Sequence, residues 1–168
     1  VQDILEEGLR VNIQQWLEQE GVHTKIDEER VKRQADDPPA RFNFRLHQRR
    51  FPNTLPPLVP IALIPTAHCW EVPAYLPVQS NEWDPPDAVQ VAMMKYWHEQ
   101  WGAELVAMTS GNVEMRVLRP PTTWEEALAL AKEQYIYAPD VVDQWLGGRF
   151  VTLVKTLLNG RVWLFWWD

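Results

Sequence analysis

The chain has 168 residues, 46% of them hydrophobic and 23% charged, and a formal net charge of −7. That length fits one domain able to bury roughly 70% of its unfolded surface without staples, and a single cysteine, Cys69, excludes an internal disulfide framework. The acidic balance argues against general nucleic-acid binding, and no apolar run approaches the ~18 residues that suggest a membrane span.

Charge is unevenly spread. Residues 1–40 carry −5, residues 41–60 carry +4 and residues 61–168 carry −6. Ile4, Leu5, Leu9, Ile13, Trp16 and Leu17 recur at helical spacing and predict one amphipathic helix over 2–20, stopped near Gly21. Residues 25–35 read as a weak second helix, ended by Asp36–Asp37–Pro38–Pro39. Phe42, Phe44 and Leu46 alternate with polar residues, predicting a strand over 41–47 with one wet face. Seven prolines between Pro52 and Pro77 forbid a long helix there. Within that stretch Ile61–Ala62–Leu63–Ile64 reads as a short strand buried on both faces.

The remainder is more sharply patterned. Asp84–Pro85–Pro86–Asp87 opens a helix that stops at Gly102, with Asp84 as the expected cap. Ala103–Thr109 and Asn112–Leu118 read as a hairpin around Ser110–Gly111. Thr122 with Glu125, or Thr123 with Glu126, forms a capping box for the helix Trp124–Tyr137. Helical pieces at 140–146 and 150–158 flank Gly147–Gly148, and Asn159–Gly160 turns into a last strand, 162–167. Because both faces of that strand are apolar, it is expected inside the sheet. The fold class is α+β, a mixed or mostly antiparallel sheet with helices packed on it. Three segments are expected: an N-terminal helix-and-strand extension (1–51), a proline-rich connection (52–60) and a domain (61–168).

Several separated blocks carry a resemblance. They are Trp70–Glu71–Val72–Pro73–Ala74–Tyr75–Leu76, Tyr96–Trp97–His98–Glu99, Gly102–Ala103–Glu104–Leu105–Val106, Glu125–Glu126–Ala127–Leu128–Ala129–Leu130–Ala131, Pro139–Asp140–Val141–Val142–Asp143–Gln144 and Val162–Trp163–Leu164–Phe165–Trp166–Trp167–Asp168. Together they resemble an uncharacterised bacterial family of domains of unknown function, over about residues 61–168. The resemblance implies a domain and brings no activity with it.

No catalytic frame stands out. His98 and Glu99 are neighbours on a helix, so their side chains diverge by about 100°. His68–Cys69 has no spacing typical of a zinc site, and no metal is expected. Gly147–Gly148–Arg149 is too short for a phosphate loop, and no cofactor is expected. Arg41, Arg45, Arg49 and Arg50 alternate with Phe42 and Phe44, which suits a solvated strand better than a nucleic-acid surface. Ten tryptophans remain the strongest signal. Each brings a large apolar area and one N–H that wants a partner, so they build a core or a recognition surface. The leading expectation is a protein-partner or homo-oligomer binding module of the interaction or immunity type. Trp83, Trp97, Trp101 and Tyr137 are its expected exposed anchors, with His98, Asp140 and Asp143 beside them. The alternative is an enzyme with a site near His98, using Glu99, Arg119, Asp140 or Asp143. Val1–Gln2–Asp3 lacks the blocks of a signal peptide, and the bacterial cytoplasm is the expected compartment.

Overall fold

The computed structural model describes residues 1–22, 26, 28–44, 60–76, 85–109 and 111–167. Its N-terminus holds two helices where periodicity predicts one: α1 (Gln2–Arg10) and α2 (Ile13–Gly21). Asn12 causes the break. Its side chain accepts the Gln15 backbone N–H at 3.1 Å, capping α2 and ending the α1 ladder. A short helix, α3 (Glu28–Arg33), occupies part of the predicted 25–35 segment.

Two predicted strands are absent among the described residues. Residues 41–44 join no ladder, and residues 45–47 lie outside the description. Residues 61–64 are likewise unpaired, and instead of being buried Ile61 is 89% and Leu63 95% exposed. Apolar alternation reports a side-chain pattern. It cannot supply the neighbouring strand that a ladder requires.

From Cys69 onward a single 3-10 turn, Cys69–Glu71, leads into α4 (Val72–Tyr75). Next comes α5 (Asp87–Trp101), which begins after Pro85–Pro86 with no side-chain cap; the predicted cap, Asp84, lies outside the described residues. Gly102, at φ 62°, ends α5 in the left-handed region that favours glycine. Strands β1 (Ala103–Thr109) and β2 (Asn112–Val117) pair antiparallel, with a bulge at Val106. Helix α6 (Trp124–Tyr137) uses the second of the two capping boxes, Thr123 with Glu126. A π-type turn, Val141–Trp145, replaces the predicted α-helical piece at 140–146. Helix α7 (Phe150–Leu157) and β3 (Val162–Trp166) complete the chain.

The sheet is antiparallel in the order β1-β2-β3, confirming the α+β class. Among the described strands β3 is terminal and β2 central, which corrects the expectation that β3 is internal. Its two apolar faces have separate covers. Trp163 and Phe165 pack with the helices, while Leu164 is buried beside its register partner Glu114.

The N-terminal helices belong to the same core. Ile13 and Leu17 of α2 are buried in the main cluster together with Trp97, Leu130 and Phe165. Helix α1 approaches α5 through Gly8, where a Cβ would lie 2.9 Å from Val91 Cγ1 and 3.0 Å from the Ala88 carbonyl oxygen.

Candidate functional site

The core that organises every candidate residue is aromatic. Trp97 of α5 stacks on Phe165 of β3 with centroids 5.1 Å apart, and meets Tyr137 and Trp163 edge-on. Trp167 stands edge-on to Tyr137 at 5.3 Å. Offset and edge-on pairs of this kind add about 0.5–1.5 kcal/mol each beyond area burial. Trp97 is 0% and Tyr137 1% exposed. Both were expected as exposed anchors, and both are interior instead. The Trp97 indole and the Tyr137 phenol need internal partners there and have them, whereas the buried Trp163 Nε1 has none. Trp97 Nε1 donates to Glu133 Oε2 and Tyr96 OH to Glu133 Oε1, each at 3.0 Å. Tyr137 OH donates to Gln90 Oε1 at 2.7 Å, and Trp167 Nε1 donates to the Tyr137 carbonyl at 3.3 Å. Burial pushes the Glu133 carboxyl above its ordinary value although both donors favour its charge. Burial, followed by the Glu133 charge, pushes the Tyr96 phenol up as well.

The other expected site residues do not converge. His98 Nδ1 lies 3.1 Å from the Ala103 carbonyl, so that ring N–H is committed to the backbone. Glu99 pairs with Lys95. Arg119 donates to the Glu99 and His98 carbonyls at 2.9 and 3.4 Å, which satisfies the C-terminal end of α5. Asp143 receives the Tyr135 hydroxyl at 2.9 and 3.0 Å and faces Arg30 at 3.8 Å. Asp140 accepts from Gln144 Nε2 at 3.0 Å. Trp101 is half-buried, and its buried Nε1 has no partner. Trp83, together with Arg45, His47, Arg49 and Arg50, lies outside the described residues. Among the described residues no group of three or more His, Cys, Asp or Glu side chains can hold a metal ion, and no helix is long and apolar enough to cross a membrane.

Sequence reasoning missed a surface around the 3-10 turn, which packs on α5 and β1. Trp70 is half-buried there. The exposed His68 ring stacks on it at 4.9 Å, and Lys95 Nζ stands 5.9 Å from its centroid. Val106, left unpaired by the β1 bulge, is 51% exposed. Cys69 sits half-buried against the Leu105 backbone of β1, its thiol pushed up by burial. The elements meet here because Glu71 accepts the Thr66 hydroxyl and Tyr75 OH reaches the Pro65 carbonyl at 3.4 Å, fixing the loop before α4. Spacing along the chain could not bring Lys95 to Trp70.

The family described as Domain of unknown function (DUF4253) matches residues 60–168. The chain belongs to the DUF4253 family. Searches of curated proteins and of solved structures gave no match. The DUF4253 region contains the sheet, the aromatic cluster and the Trp70 surface, whereas α1, α2 and α3 lie outside it. In this chain the DUF4253 core is thus completed by Ile13 and Leu17 from outside the matched region.

Proposed function

We propose that this protein is a protein-binding module of the interaction or immunity type, docking its partner on the surface formed by Trp70, His68, Lys95 and Val106. The observation that carries the reading is Trp70 itself. A large ring is held in place by a stacked imidazole and a cation while part of it stays in contact with solvent. Pre-positioned aromatics within a polar rim are how interface anchors are built, and the exposed Val106 of β1, the strand on which the 3-10 turn packs, adds apolar surface. Trp97 and Tyr137 serve as the rigid floor from which α5 presents Lys95. The half-buried free thiol of Cys69 supports a reducing compartment, which we take to be the bacterial cytoplasm.

Native mass spectrometry of the full chain purified from its host tests this reading. The wild type should carry a second protein or a second copy of itself, and Val106→Asp and His68→Ala should lose it while keeping the wild-type circular dichroism. A bare wild-type monomer, or a complex indifferent to both substitutions, contradicts it.

A further inference from the structure

Residues 28–44 lie across the domain in the manner of a bound peptide. Between Glu29 and Phe44 no side chain is buried, in contrast to Ile13 and Leu17 of α2. Some of the contacts holding this strap are directed at its main chain. Lys155 Nζ donates to the Ala35 and Asp37 carbonyls, each at 2.6 Å. Thr156 Oγ1 accepts the Ala40 N–H at 2.8 Å, while its own proton goes to the Thr152 carbonyl at 2.6 Å. Such contacts grip a chain whatever its side chains, and specific pockets then select the sequence.

Three side chains of the strap are each held by specific contacts. The Gln34 amide is read at both ends: Nε2 donates to the Gly148 carbonyl at 2.9 Å, and Oε1 accepts the Val151 N–H at 3.1 Å, an orphan donor in the first turn of α7. Arg30 donates to the same Gly148 carbonyl at 3.0 Å, faces Asp143 and lies 5.5 Å from the Tyr135 ring centroid. Phe42 packs on Trp145 with centroids 5.7 Å apart. The positive φ of Gly147 and Gly148, 59° and 76°, shapes the turn that presents the Gly148 carbonyl. The seat lies within residues 60–168, the family region, and its occupant lies outside it.

We propose that the face formed by the end of α6, the π-type turn and α7 is a peptide-docking groove, filled in cis by residues 30–42. In trans it takes a segment of a partner protein with the same shape and pattern: a helical turn carrying an arginine and a glutamine four residues on, then non-helical chain with an aromatic residue eight beyond that. The strap is then a competitive occupant that a partner segment must displace. The groove uses none of the residues of the Trp70 surface, so its failure would leave that reading standing, and the reverse.

The test uses the full chain and a fluorescently labelled synthetic peptide of residues 28–44, followed by anisotropy. Arg30→Ala with Gln34→Ala weakens only the cis strap and should tighten peptide binding about a hundredfold over wild type, the change expected from losing three ordinary hydrogen bonds. Adding Lys155→Ala, which damages the groove itself, should reverse the gain. Equal binding by wild type and the strap variant, or none by either, overturns the proposal. A second measurement needs no variant. In wild-type hydrogen exchange, the Val151 amide should exchange through an opening that leaves α5 protected. Exchange of Val151 only together with α5 overturns the proposal as well.

Discussion

Glu133 shows how one buried side chain couples packing to pH. It joins α5 to α6 by accepting from Tyr96 and Trp97, and burial raises its pKa from 4.5. A carboxyl with a raised folded-state pKa holds a proton that the unfolded chain has already released. Stability therefore falls as pH rises from about 4.5 through the folded value. Asp87, also raised by burial, acts in the same direction. Glu133→Gln should flatten this part of the curve, measured as urea midpoints from pH 4.5 to neutrality; parallel curves for the two proteins would show that Glu133 does not set the slope. Glu126 acts in the opposite direction. Backbone N–H donors from Thr122 and Thr123 lower its pKa, so its contribution is present above the unfolded value and lost as pH falls through the folded one.

At the scale of elements, helix ends and the β1–β2 hairpin are legible in the sequence, and the position of β3 at the sheet's edge is not. Gly102 stops α5 and Thr123 opens α6 as their residue types dictate, because a cap acts within one turn. Thr123→Ala should cost about 1 kcal/mol in thermal or urea unfolding, and an unchanged midpoint would show that the box is ornamental to α6. Gly8 makes the opposite case. Alanine there gains up to about 1 kcal/mol of helix propensity, yet its Cβ meets the stiff Val91 side chain and the Ala88 backbone. Overpacking costs about 1–3 kcal/mol, so Gly8→Ala should be net destabilising by about 1 kcal/mol and should raise hydrogen exchange in α1. A stabilised variant would mean that α1 can stand off from α5. The apolar run 61–64 reads as a strand but forms none, because the run is visible in the sequence while a partner edge is not. The single helix drawn through Asn12 failed for a related reason, since the apolar period continues across a residue whose side chain takes the ladder's hydrogen bond.

Across the whole molecule, tryptophan content announced that aromatic area would organise the fold, without saying which rings would be inside. Trp97 and Trp163 are 0% exposed because α5 and β3 close on them from two sides. That enclosure depends on a long-range pairing of β2 with β3, which no local pattern encodes. Trp70 remains partly outside because, among the described residues, the 3-10 turn lays it on α5 without a further layer over it. The extension was legible as helices and illegible as part of the core, since its periodicity does not name the surface it covers. Hydroxyl-radical footprinting of each tryptophan, in the free chain and in the partner complex, separates the structural rings from the binding ring in one measurement. Trp70 should oxidise in the free chain and be protected in the complex, with Trp97 and Trp163 unreacted in both. Oxidation of Trp97 in the free folded chain, or a Trp70 signal unchanged by the partner, would contradict the division of the aromatic residues into an internal frame and one docking anchor.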